Sequence, residues 1–123
     1  MNKEQPELKK ILHFLMTIEI EIIEKDLTET TFLPGLSLGP NVIYVDYSRL
    51  QHPGDVLHEA GHIAVTQPSH RKLIGTDKMD ANWPTQGDEI AAILWSYAAL
   101  SHLGLPPEFV SVSYTHLTLP TKA

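Results

Sequence analysis

Leu8, Ile11, Leu12 and Leu15 recur at helical spacing with Lys9, Lys10 and His13 between them, which predicts a short amphipathic helix over residues 7–16. The period then shortens to two. Ile18, Ile20 and Ile22 alternate with Thr17, Glu19 and Glu21, and β-branched residues in that order predict a strand with one buried face. After a break at Lys25-Asp26-Leu27-Thr28 come Thr31-Phe32-Leu33, a Pro34-Gly35 turn and Leu36-Ser37-Leu38. Gly39-Pro40-Asn41 marks a second turn, and Val42-Ile43-Tyr44-Val45-Asp46 is the strongest strand pattern in the chain. Two strands across such a turn suggest a hairpin, so the sheet is expected to be at least partly antiparallel.

Beyond Leu50 the pattern turns helical again. Pro53 at the first helical position, or Asp55 as the cap, opens a helix carrying Val56, Leu57, Ala60, Ile63 and Ala64, which should stop before Pro68. Residues 67–86 are polar, contain Gly75, Asn82 and Pro84, and predict a loop. At ~20 residues it is longer than connections without a function usually are. A last helix is predicted over residues 88–101, capped by Thr85 or Gly87 and stopped by Gly104-Leu105-Pro106-Pro107.

Composition narrows the function classes. A chain of 123 residues has room for one ordinary domain, expected over residues 1–110. The final stretch, from Val112-Ser113-Tyr114-Thr115-His116 to Ala123, breaks with the preceding pattern and resembles a translated sequencing adapter. Residues 111–123 are therefore expected to be a non-native tail on a domain truncated at its C-terminus, and His116 is left out of the site. A net charge of −6 argues against nucleic acid as a partner, because phosphate binding needs a basic face. No apolar run approaches the ~20 residues that span a bilayer, and the N-terminus lacks the plan of a signal peptide, so a cytoplasmic protein with no membrane partner is expected. With no cysteine in the chain, any metal must be held by His, Asp or Glu.

One constellation carries chemistry. His58-Glu59-Ala60-Gly61-His62 is an H-E-x-x-H sequence inside a predicted helix. Residues four apart on a helix differ by about 40° around the axis and ~6 Å along it, so both imidazoles lean to one side and can reach a single Zn²⁺. Glu59 leaves the helix at a different angle, where its carboxylate can take a proton from a metal-activated water and later pass it to a leaving amine. Gly61 removes a side chain, which leaves room for another element to cross closely.

Two ligands do not complete a stable zinc site. A metzincin histidine would fall at Pro68, which excludes that subclass. Glu89 is the favoured third ligand: it shares a helical face with Ala92, Ile93 and Ser96, and a carboxylate carried inward by that apolar face needs a cation to offset its burial. Asp88, His70 and His102 stand as alternatives, with Asp88 a cap or supporting group if Glu89 is the ligand.

Val42-Ile43-Tyr44-Val45-Asp46, Leu57-His58-Glu59-Ala60-Gly61-His62 and Glu89-Ile90-Ala91-Ala92 together resemble a small gluzincin-type metallopeptidase, closest in plan to the ImmA/IrrE-like domains of bacteria. The resemblance covers roughly residues 18–100. It implies a zincin-like α+β fold, His58, His62 and Glu89 as zinc ligands, Glu59 as catalytic base, and a peptide or protein substrate. The segment after Glu89 departs from that family in lacking its usual Asn and its Leu-Met-Pro ending, which points to a relative rather than a member. His70, Tyr97 and His102 are candidates for stabilising an oxyanion, and Trp83 for lining a cleft. The strand at residues 42–47 would pair with an extended peptide if it lay at the sheet edge. A zinc-binding regulatory module with little or no hydrolysis is the alternative function.

Overall fold

The computed structural model describes residues 1–110. The adapter-like tail and His116 lie outside the described residues. Pro6–Thr17 form helix α1, with Pro6 in its first turn, where the missing N–H is no loss. Its Leu8, Ile11 and Leu15 are fully buried.

The expected strand at residues 18–22 does not form as read. Glu19 adopts a positive φ of 63°, the Ile20 N–H bonds Leu15 O at 3.1 Å, and the Glu19 N–H bonds Met16 O at 3.1 Å. That pair of bonds closes α1 as a Schellman motif, so Ile18 and Ile20 belong to a helix end rather than a strand. Ile18 is exposed while Ile20 is buried against the core. The strand β1 begins later, at Glu21–Glu24.

Strands β2 (Leu36–Gly39) and β3 (Val42–Val45) form the expected hairpin, pairing Leu36 with Val45 and Gly39 with Val42. β1 runs parallel to β3 on the other side, so the sheet is mixed with order β1-β3-β2. β3 is therefore central and offers no edge to a peptide. The outer strands are β1 and β2, since strand order follows from the crossover and not from the hydrophobicity of β3. Asn41 at the hairpin tip fixes the corner: its side chain donates to Glu19 O and its N–H to Arg71 O.

Asp55–Ala64 form α2 with Gly54 as its N-cap, so Pro53 is outside the helix and Asp55 is its first residue, not its cap. Every residue from Asp55 to Ile63 is buried, because α2 packs against the sheet and against α3. Residues 67–86 are not a bare loop. Pro68–Leu73 wind into a 3-10 helix, Ile74 is fully buried, and Met79 and Trp83 pack against the core. α3 spans Gln86–Leu103, somewhat longer at both ends than its apolar pattern. Thr85 accepts from the Asp88 N–H while the Asp88 carboxylate accepts from the Thr85 N–H, a reciprocal capping box. Gly104, at φ 72°, ends the helix in the left-handed conformation that suits glycine. The fold class is α+β: three α-helices, two short 3-10 helices and a small mixed sheet among the described residues. No helix of the described residues is long and apolar enough to cross a membrane.

Candidate metal centre

α2 supplies two imidazoles and α3 one carboxylate. His58 is fully buried, His62 nearly so, and the Glu89 side chain is 21% exposed. Nε2 of His62 lies 3.0 Å from Glu89 Oε1, and Nε2 of His58 lies 2.7 Å from the same oxygen. The imidazole rings are 5.0 Å apart, centre to centre, and steeply tilted at 75°. A metal-ligating atom from each of His58, His62 and Glu89 lies within 4.8 Å of the other two.

The contact between His58 and Glu89 is close but badly aligned. Nε2 and Nδ1 of His58, together with Nδ1 of His62, are buried with no hydrogen-bond partner among the described residues. A buried polar atom without a partner is costly, and a lone pair directed beside a carboxylate oxygen is satisfied by a cation in a way that an N–H out of line is not. The close approach of His58, then of His62, holds the Glu89 carboxyl down at about 2, although burial pushes the other way. Glu89 is therefore an anion at any pH near neutrality.

Glu59 lines the cleft that His62 and Glu89 also line. Burial pushes its carboxyl above the ordinary range; His62 and His58 pull it back and Glu89 adds to the rise. Such a group holds a proton more readily than a solvated glutamate.

The remaining candidates fall elsewhere. Asp88 is engaged in the capping box at the start of α3. His70 lines a neighbouring cavity that Trp83 also lines, and the His102 ring packs on Phe14 at 5.5 Å. Tyr97 packs against the core, and Trp95 stacks near Phe14. None of His70, Tyr97 and His102 lines the cleft. Trp83 does, with its ring edge-on to His62 at 5.7 Å.

Two contributors carry no signal of their own in the sequence. Phe32 lies over the His58 ring at 6.2 Å, its only hint being a large apolar residue in a polar stretch. Arg71 donates from Nε to Thr66 O and from Nη2 to Ala64 O, both at 2.9 Å, closing the end of α2 that carries His62. Compared with known proteins, the chain matches no family model, no curated protein and no solved structure.

Proposed function

We propose that this chain is a zinc-dependent peptidase of zincin-like type, in which His58, His62 and Glu89 hold the metal and Glu59 is the general base. The observation that carries this reading is the convergence of two buried imidazole Nε2 atoms on one Glu89 oxygen, at 2.7 and 3.0 Å. Two imidazoles and a carboxylate are a donor set suited to catalytic zinc, which keeps a further position open. The unpartnered Nε2 of His58 fits the same ion.

Zinc bound there supplies Lewis acidity toward water and a carbonyl oxygen. The chain's own residues do the rest. Glu59 accepts a proton from the attacking water and delivers it to the leaving amine, its position set by the helix that also carries both histidines. The cleft runs beside Leu36, Ser37 and Leu38 of β2, an outer strand of the described sheet, where an extended peptide can add main-chain hydrogen bonds. Walls of protein limit the cleft to about 500 Å³, room for a short segment of chain.

A second reading keeps the metal and drops the hydrolysis: a zinc-binding regulatory module. It is favoured by the cleft lining, which includes no tyrosine or arginine and no histidine besides His62 among the described residues, leaving no side chain for an oxyanion. Metal analysis and peptide cleavage separate the outcomes. About one zinc per chain is expected, lost in the His58→Ala, His62→Ala double variant. Glu59→Gln is expected to keep zinc and lose cleavage of a mixed peptide pool. Full zinc content in the double variant overturns the site, and a metal-loaded parent that cleaves nothing favours the regulatory module.

A further inference from the structure

The wall of the cleft, rather than its metal-holding floor, bears on what the site accepts. Phe32 is 69% exposed, the most open large apolar side chain near the site, yet it does not stand alone. Leu38 of β2, Trp83 and Pro84 line the same cavity, with Leu36 buried beneath it at 1% exposure. Phe32 lies over His58 and Trp83 stands against His62, so an aromatic ring flanks each imidazole. Apolar side chains gathered around one cavity, unlike a scattered exposed residue, mark a place where apolar matter docks.

Charge sharpens the reading. Glu29, Glu59 and Glu89 line the cleft, and no lysine or arginine does among the described residues. With zinc taken up by Glu89, an acidic substrate side chain would still meet the Glu29 carboxylate and no lysine or arginine, whereas an aromatic or large aliphatic one meets Phe32, Leu38, Trp83 and Pro84 in the lining. From these juxtaposed features we infer that the cleft selects a peptide carrying a bulky apolar residue next to the bond to be cut, gripped between Phe32 and Trp83, and rejects an acidic residue there. This rests on the peptidase reading for its context, but it predicts binding selectivity whether or not hydrolysis occurs.

The test uses the zinc-loaded Glu59→Gln protein, which binds without turnover, titrated calorimetrically with acetyl-Gly-Phe-amide and acetyl-Gly-Asp-amide. Complete burial of one such side chain is worth roughly ten- to hundredfold, so the phenylalanyl peptide is expected to bind at least about tenfold more tightly. Phe32→Ala and Trp83→Ala are each expected to shrink that ratio severalfold. Phe32 is exposed, so its substitution keeps the test alive should the Trp83 variant fail to fold. Equal binding of the two peptides, or a ratio unchanged in Phe32→Ala, overturns the inference. Selective binding with no cleavage by the zinc-loaded parent leaves the inference standing and removes the peptidase reading. Cleavage of both peptides at equal rates does the reverse.

Discussion

Gly61 of α2 rests against the backbone of Ala92 in α3: a Cβ at position 61 would lie 2.6 Å from Ala92 O and 3.1 Å from Ala92 Cα. That approach sets how near α3 comes to the two histidines, because Glu89 sits one turn before Ala92 on the same helix and Gly61 lies between His58 and His62. Gly61→Ala therefore pits two effects against each other. Alanine is the better helix former by about 0.5–1 kcal/mol. Overpacking costs about 1–3 kcal/mol, and here the obstructing atoms are backbone, which cannot swing aside. Overpacking wins, with a net loss of roughly 1–2 kcal/mol in urea unfolding. α3 is pushed outward, so zinc affinity is expected to fall on the order of tenfold. Unchanged stability together with unchanged affinity would rule out the close crossing.

Arg71 addresses the same site from its other end. The last carbonyls of a helix lack partners within it, and Arg71 meets Ala64 O and Thr66 O at the end of α2 with a cation, where the helix dipole favours one. Arg71→Ala is expected to cost about 1–2 kcal/mol, since the guanidinium is partly solvated. Arg71→Lys should recover less than half, because an ammonium cannot span two carbonyls with a fixed fork. Thermal unfolding of the three proteins checks the order. A lysine variant as stable as the parent would show that charge alone matters there.

What could be read from the chain divides along a physical line. The meeting of His58 and His62 was legible because helical geometry alone puts two residues four apart on one side. Glu89 was legible because it is an acid on an otherwise apolar face, and the structure brings that acid to both imidazoles. The alternation of Ile18, Ile20 and Ile22 misled, since a left-handed residue at Glu19 converts the same pattern into a helix end. The central place of β3 was hidden because strand order depends on how the chain crosses over, not on any one strand. Phe32 and Arg71 were silent for a related reason: each acts on residues distant in sequence, and no local periodicity reports such a meeting.

Asp46 ties the end of β3 to the segment that forms the wall of the cleft. Its carboxylate accepts from Ser48 Oγ at 2.6 Å, from the Leu27 N–H at 3.0 Å and from the Ser48 N–H at 3.1 Å. The Ser48 hydroxyl first, then the Leu27 N–H, hold its pKa below the ordinary 3.8, with Arg49 adding to the fall. A carboxylate held below its unfolded value stabilises the fold fully above that value and loses its contribution as pH falls through the lower, folded one. Asp46→Asn is expected to lower the urea midpoint at pH 7, and the gap from the parent should narrow as the pH drops below the ordinary 3.8. A gap of constant size across that range would show that shape, not charge, makes these bonds.

Glu59 presents the opposite sign. Burial raises its folded-state pKa above the ordinary 4.5, so the native chain binds this proton more firmly than the unfolded one. Stability contributed by the protonated form is lost as pH rises through that raised value, and near neutrality the desolvated carboxylate weighs against folding. Replacing it with a neutral isostere removes the burden. With chelator present, Glu59→Gln is expected to melt at a higher temperature than the parent at pH 7, the difference closing as the pH approaches the ordinary carboxylate range. On the proposed peptidase reading, the same change lowers cleavage by the zinc-loaded protein about 10²–10⁴-fold, the usual worth of a positioned base. Gain in stability and loss of activity from one substitution is the signature of a charge kept buried for chemistry. Were Glu59→Gln less stable than the parent at neutral pH, the carboxylate would instead be holding the helices together, and its assignment as the base would lose its physical ground.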